Sequence, residues 1–363
     1  MILHLKEEVQ NNTVACSECF CDHGLQLTAV NIGIEDNEIC PNCKSTVGKK
    51  LSLNQLEEVA YHFFVYGSFI FCDYGAFPEI QFNNYQETSI TINDNLKKDI
   101  RIFEESLGIG LFYYGPRAWM YGDIEPLNDL LDPDKRNKVI KRIIQEYPNI
   151  KITQNDSPLY RIRKGENLTY NSKYFDSPPD QFLGSGRLDS KGFPVLYTSS
   201  DLELCIHEMR AALEDELYVA TLIPEGSLNF LDLSIILKEN ESITDFESLD
   251  IAVNMLFLAG KHAYEITHEI SLAAKNAGYD GIVYPSYFSN ARKGLMPHQA
   301  LVYGISNRRI PQFQTIEHSK VAQNIAIFGR PILEGKVKVH SINKLMLTKV
   351  SYNYLLGAVN EEE

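Results

Sequence analysis

The sequence predicts an α+β protein: a cysteine-bearing amino-terminal segment, a helical stretch, and a carboxy-terminal domain of short strands with intervening helices. Three observations carry that prediction. Two Cys-x-x-Cys pairs lie within residues 1–50, separated by 20 residues. Apolar residues recur at helical spacing through 51–150. From residue 155 the pattern changes to short apolar runs punctuated by turn residues. The chain is therefore read as three domains, 1–50, 51–150 and 151–363.

The first element is the pair Cys16-Ser-Glu-Cys19 with Cys40-Pro-Asn-Cys43, at the spacing of a zinc ribbon. Two tight turns that each supply two thiolates complete a tetrahedron around one metal ion. With Cys16, Cys19, Cys40 and Cys43 all used as ligands, no position stays open for a substrate, so the expected site is a structural Zn2+. Cys21 or His23 could substitute as a ligand, and reduced, unmetallated thiols are the competing reading. Seven cysteines, four of them in such pairs, suit a metal site in a reducing compartment better than a disulfide framework. Residues 1–50 hold Lys6, Lys44, Lys49 and Lys50 against Glu7, Glu8, Glu18, Asp22, Glu35, Asp36 and Glu38. An acidic ribbon is a poor binder of nucleic acid and a better scaffold or protein contact.

Through 51–150 the expected elements are helices. Leu51 to Phe64 is periodic and aromatic-rich, Asp94 to Leu107 stops at Gly108, and Asp134 to Tyr147 stops at Pro148. His62 on the first of these reads as a packed core histidine.

The densest chemistry lies in Gly184-Ser-Gly186-Arg187-Leu-Asp-Ser-Lys-Gly192-Phe-Pro-Val-Leu-Tyr197 and the short helix after it, which carries Glu208. Glycines such as Gly186 let a backbone approach a ligand closely. An arginine in such a turn offers a planar fork that matches phosphate. The strand Phe193 to Thr198 delivers Tyr197, whose ring can stack on a flat base. Ser200-Asp-Leu-Glu203 reads as a capping box, with Leu202, Cys205, Ile206, Met209 and Leu213 at helical spacing. Glu208 then falls at the edge of the apolar face, beside Cys205 and Ala212, while His207 faces solvent. Further strands are expected at Leu217–Leu222, Leu228–Leu233, Gly281–Tyr284, Ala300–Tyr303 and Lys336–Val339, and one long helix from Ile251 to Ala277 ended by Gly278. Arg161 and Arg163 share one face of an entry strand. Asn290 to Gly294, which follows Ser286, reads as a mobile basic loop over the pocket or as a solvated turn.

Composition bounds the rest. The 363 residues carry a net charge of −14, 44% hydrophobic and 23% charged residues, the values of an ordinary soluble globular protein. That charge argues against non-specific nucleic-acid binding. No apolar run approaches the roughly 20 residues needed to cross a bilayer, and the start lacks the apolar core of a secretory signal, so a cytoplasmic location is expected. The P-loop, GxGxxG and GxSxG motifs are absent, which removes the corresponding kinase, dinucleotide-fold and hydrolase readings.

Three separated motifs in order resemble the RES domain, a bacterial family named for an arginine, a glutamate and a serine. They are Leu159-Tyr160-Arg161-Ile162-Arg163, the run Gly186-Arg187-Leu-Asp-Ser-Lys-Gly192 through Leu196-Tyr197 to Glu208, and Tyr279-Asp-Gly-Ile-Val-Tyr-Pro285-Ser286. The resemblance covers roughly 155–310 and assigns Arg161, Glu208 and Ser286 to the three letters. In this sequence the turn has Leu188-Asp189 where the family commonly has Trp-Asn. The resemblance implies an ADP-ribosyltransferase-like fold with a curved mixed sheet, and NAD+ as a substrate cleaved between nicotinamide and ribose by phosphate or water. It implies a toxin or defence role and a small Xre-like antitoxin as a partner. Under it Glu208 stabilises the oxocarbenium-like ribose, Arg161 and Arg187 hold phosphate (of the dinucleotide or inorganic), Tyr197 stacks on nicotinamide and Ser286 bonds ribose or amide. ADP-ribosylation of a macromolecule and a non-catalytic zinc-containing regulatory module are the alternatives. Residues 1–150 also resemble the HEPN-type domain found ahead of some RES domains. The nuclease signature of that type, an arginine followed by histidine four to six residues later, is missing after Arg101, Arg117, Arg136 and Arg142.

Overall fold

The computed structural model describes residues 12–115, 123–165, 171–295 and 305–359. They form two compact units, one drawn from Met1–Phe71, Ala76–Pro116 and Tyr352–Glu363, the other from Cys72–Gly75 and Arg117–Ser351. The expected strand at 300–303 and Arg117 lie outside the described residues.

In the first unit, helices α1 (His23–Ile32), α2 (Leu53–Ala60) and α3 (Asp94–Leu107) each begin at a side-chain cap, from Asp22, Ser52 and Asn93 respectively. Such caps satisfy backbone N–H groups that have no partner within the helix. Gly108 ends α3 in the left-handed conformation, φ 65°, which explains a glycine there. Strands β1 (Ala15–Cys16) and β2 (Lys50–Leu51) pair antiparallel, β3 (Phe69–Cys72) pairs with β4 (Gly75–Pro78), and β5 (Ile80–Asn83) with β6 (Gly110–Tyr113). The mainly helical character expected of 51–150 thus holds, with short strands between the helices that the sequence did not announce. Phe69-Ile-Phe, Ala76-Phe and Ile80-Gln-Phe are runs too short to show a period, yet rich in the aromatic and β-branched residues that suit strands. The helix expected to Phe64 leaves regular α geometry after Ala60, becoming a π turn over Tyr61–Val65. His62 sits there half-exposed, 3.9 Å from Glu58, rather than in the core.

Leu25, Ala29, Leu56, Val59, Phe63, Phe64, Ile100 and Phe103 form this unit's core, with Phe64 edge-on to Phe103 at 5.6 Å. Leu356 and Ala358 join them, so residues from 352 onward complete a core begun by the first hundred. The Gly67 and Gly357 backbones meet so closely that a Cβ on Gly357 would lie 2.1 Å from the Gly67 carbonyl oxygen.

The second unit contains helices α4 (Glu125–Leu131), α5 (Pro133–Glu146), α6 (Leu202–Glu208), α7 (Leu249–Leu258), α8 (Tyr264–Asn276), α9 (Ser289–Arg292) and α10 (Pro311–Ser319). Its strands are β7 (Asn149–Thr153), β8 (Leu159–Lys164), β9 (Val195–Thr198), β10 (Leu217–Pro224), β11 (Ser227–Asp232), β12 (Gly281–Pro285), β13 (Gln323–Phe328) and β14 (Val337–Leu345). They make a five-stranded mixed sheet, β7-β11-β12-β13-β9, and a three-stranded antiparallel sheet, β14-β10-β8. Backbone bonds between Tyr160 and Ser199 join β8 to the end of β9, linking the sheets.

Successive strand residues point to opposite faces, and here both faces are buried. Val195, Leu231, Ile282, Tyr284, Ala326 and Phe328 share a core with residues of α4, α5, α7 and α8; Leu196, Phe230, Val283, Ile325 and Ile327 meet residues of β8 and β10. The reading of 51–150 as one domain breaks down at α4 and α5. Leu127, Leu130, Val139, Ile140 and Ile143 are buried in the second unit's core, so these helices pack with the sheet that follows them.

Three other expectations are corrected. The long helix from Ile251 to Ala277 is two helices, because Gly260 is extended and the chain turns through Lys261–Ala263 between them. Helix α6 is capped by Asp201, whose side chain accepts from the Leu204 N–H, and not by Ser200. The same helix stops at Glu208, and Leu213 is exposed, since Arg210 takes a left-handed φ of 46° that breaks the repeat. Among the described residues no helix is long and apolar enough to cross a membrane.

Candidate active site

Glu208 is the last residue of α6, with its side chain exposed. Leu204 and Cys205 on the same helix are buried, and Cys205 packs with Ile162, Leu217 and Val219, which fixes the direction in which the helix end points. Two donors converge on one carboxylate oxygen. Ser286 Oγ and Asn324 Nδ2 each lie 2.5 Å from Glu208 Oε1. Ser286 is fully buried just past the end of β12, and its Oγ also accepts the Phe288 N–H at 3.0 Å. Asn324 is the second residue of β13, 7% exposed, paired in register with Tyr284. Burial, then the Glu208 charge, pushes the Tyr284 hydroxyl far above its usual value, so it stays protonated beside the site.

Arg161 enters from β8. Its Nη1 donates to the Tyr197 carbonyl at 2.9 Å, while its buried Nε has no partner among the described residues. Burial, reinforced by Arg163 two residues along, lowers this guanidinium to about 9. It is still cationic at neutral pH, a desolvated charge with no ion pair to a carboxylate among the described residues, and such a charge favours an anion. Arg163, the alternative to it, is committed to the chain: it donates to the Tyr174 and Asp176 carbonyls.

The glycine turn is held from within. Tyr197 Oη accepts the Leu188 and Asp189 N–H groups and donates to Asp189 Oδ1 at 2.7 Å; Asp189 Oδ2 accepts the Gly184 N–H. Leu188 is fully buried in the helix-side core, the place its apolar side chain suits. A Cβ on Gly186 would meet Asp189 Oδ1 at 2.0 Å and the Tyr197 hydroxyl at 2.7 Å. The glycine is therefore required by the turn's own closure, a different reason from the ligand approach expected of it. Tyr197→Phe is expected to leave the two backbone donors unsatisfied and cost about 1–3 kcal/mol, measured by denaturant unfolding; an unchanged midpoint would show that the hydroxyl does not hold the turn. Arg187 is likewise engaged. It donates to the Leu256 and Ala259 carbonyls at the end of α7, and its guanidinium lies 4.9 Å from the Tyr264 ring centroid. A cation on those last carbonyls is a favourable helix ending, and it occupies the break between α7 and α8. The basic loop after Ser286 is docked, with Arg292 pairing with Asp201 and Glu203 on α6.

Residues 158–320 match the family described as the RES domain. Those residues are a RES domain. Among solved structures, the chain aligns with the Mycobacterium tuberculosis MbcT-MbcA toxin-antitoxin complex at 15% identity and a TM-score of 0.33, over 57% of this chain and 91% of that one. No curated protein matches the sequence.

Within the RES domain, the structure joins Glu208 and Ser286 directly and brings Arg161 to the carbonyl of Tyr197, on the strand that leads into the helix carrying Glu208. Asn324 escapes the sequence reading. It lies four residues beyond the matched segment, and the signal that could have found it is the β-forming run Ile325-Ala-Ile-Phe328 directly after it.

In the first unit, Cys16, Cys19, Cys40 and Cys43 form one group, their sulfurs within 4.8 Å of one another. Three of the separations are 3.5, 3.5 and 3.9 Å. Tetrahedral zinc with Zn–S of about 2.3 Å places its sulfurs about 3.8 Å apart, whereas a disulfide needs about 2.05 Å. The donor set therefore fits a metal ion. Cys21 is exposed, and His23 lies against Gln26 at 3.2 Å, so neither belongs to the group. Asp99 of α3, buried, accepts the Cys21 and Asp22 N–H groups at 2.8 Å and ties the cysteine turn to the helical core.

Proposed function

We propose that this protein consumes NAD+, breaking the bond between nicotinamide and ribose, in a toxin or defence role inside the cytoplasm. The observation that carries the reading is Glu208, an exposed carboxylate whose Oε1 is held by two buried donors at 2.5 Å. A fixed anion of this kind stabilises the positive charge that develops on ribose C1″ as the pyridinium leaves, because its dipoles and charge are already in place before reaction. The C–N electron pair departs with nicotinamide, which leaves neutral, and an oxygen of phosphate or water forms the new bond to C1″.

Arg161 is suited to a phosphate of the dinucleotide or to incoming inorganic phosphate, since its charge is desolvated and its Nε is unpaired among the described residues. Arg187, two of whose N–H groups cap α7, is the second candidate. Ser286 orients Glu208 and could also meet the ribose. Phosphorolysis, giving nicotinamide and ADP-ribose 1″-phosphate, and hydrolysis, giving nicotinamide and ADP-ribose, are the two outcomes of that cleavage; transfer to a macromolecule uses it with another acceptor. The four-cysteine group is read as a structural zinc site. A small Xre-like antitoxin is the partner the RES resemblance suggests.

The test is incubation of the purified full chain with NAD+, with and without inorganic phosphate, followed by chromatography. Nicotinamide release that needs phosphate supports phosphorolysis, and release without phosphate supports hydrolysis. ADP-ribose appearing on protein or nucleic acid supports the transferase reading. NAD+ that stays intact under all conditions overturns the proposal.

A further inference from the structure

We infer that Asn324 is a positioning residue for Glu208, acting in concert with Ser286 to aim its carboxylate. The inference rests on the reading of Glu208 given above and extends it to a residue outside the RES match. Glu208 needs such help for two reasons. As the last residue of α6 it places a negative charge at the negative end of the helix, which is unfavourable. Its side chain is exposed, and Arg210 two residues on turns the backbone left-handed, so α6 itself does not hold the carboxylate.

The sheet supplies the restraint. Strands β12 and β13 pair antiparallel, with Tyr284 opposite Asn324 and Pro285 opposite Gln323. Ser286, one residue past β12, and Asn324, at the start of β13, therefore project from neighbouring strand ends. Both reach the same Oε1, which a single donor would leave free to rotate about that contact. The chemistry also selects an amide. Asparagine donates without adding a charge; an aspartate of the same shape would set a second carboxylate against Glu208, with no donor at neutral pH. Asn324 is itself buried, and a buried amide without a partner is costly. Tyr284, buried opposite it, interacts with the Asn324 side chain and limits its rotation. Glu208 is thus the ligand that completes Asn324, and Asn324 is the donor that aims Glu208.

The test compares wild type with Asn324→Ala and the isosteric Asn324→Asp in the full chain. Steady-state nicotinamide release is expected to show kcat lowered by about 100-fold in both variants, the lower end of the scale for losing one preorganised donor. KM is expected to stay within about twofold, because the carboxylate is aimed at the transition state rather than the ground state. Thermal unfolding confirms folding, and should Asn324→Ala not fold, Asn324→Asp decides. Folded variants with wild-type kcat, or with the loss confined to KM, overturn the inference. A crystal structure of a variant gives a readout free of activity. A Glu208 carboxylate rotated away from Ser286, or spread over several rotamers, supports positioning; one unmoved from its wild-type contact with Ser286 overturns it. Because that second readout needs no turnover, an enzyme silent on NAD+ would sink the NAD+ reading while the positioning claim is still decided by the structure.

Discussion

Glu208→Gln is expected to lower nicotinamide release from NAD+ by on the order of 10³-fold, with the protein folded as before. The substitution keeps the shape of the side chain and an oxygen that can still accept from Ser286 Oγ and Asn324 Nδ2. What it removes is the negative charge that, in the proposed reaction, faces the ribose as C1″ turns cationic. The charge acts on the transition state and hardly on bound NAD+, so the loss belongs in kcat and KM should change little. Stability should change by less than about 1 kcal/mol, because the side chain is exposed and buries no new group. Single-turnover and steady-state assays with matched thermal melts check this. A Gln variant that retains a tenth or more of wild-type kcat would show that Glu208 is not the stabilising anion.

The second large effect is expected in the first unit. Freshly purified protein should contain about one zinc per chain, measured by elemental analysis, and stripping it with a strong chelator should destabilise residues 12–115 far more than the RES domain. Structural zinc supplies folding free energy outright, apparent values running to about 10–16 kcal/mol in isolated fingers. The four cysteines close the chain between residues 16 and 43, where the described structure contains one short helix and little core of its own. Burial pushes the Cys19 thiol up to about 11 and Cys16 higher still, whereas backbone N–H groups of Cys43 and Asn42 outweigh burial and lower Cys40. At neutral pH Cys16 and Cys19 therefore stay thiols unless a metal cation between the four sulfurs holds them as thiolates. Hydrogen exchange localises the effect: loss of protection in α1 and α2 on chelation is expected. Metal content near zero, or unchanged exchange after chelation, would remove the zinc assignment. Cys40→Ser should reproduce the chelated behaviour.

Much of the candidate site is legible in the amino-acid sequence. Arg161, Glu208 and Ser286 stand in an order and spacing that resemble the RES domain, and the family match over residues 158–320 agrees with it. The cysteine pairs announce their own convergence, because each Cys-x-x-Cys is a local turn. What the sequence does not show is which partners these side chains have already found within the fold. It offers Tyr197 and Gly186 to a ligand, yet their hydroxyl and missing Cβ serve Asp189 and the turn. Arg187 caps α7, a helix end some 70 residues away in sequence whose very existence is hidden inside one apolar period. Nothing local to Tyr197 or Arg187 distinguishes a side chain that waits for substrate from one that has found a carboxylate or a carbonyl.

The division follows from the range of the forces. Glycine helix ends such as Gly108 and the two cysteine turns depend on residues within a few positions of one another, and the sequence by itself determined these, while it offered the three lettered residues as candidates. Tertiary structure alone decided that α4 and α5 pack on the second unit's sheet, that residues from 352 onward complete the first unit's core, and that Asn324 meets Glu208. Each of those depends on which apolar faces and strand edges find each other, and pairing β12 with β13 sets an amide against a carboxylate 116 residues earlier in the chain.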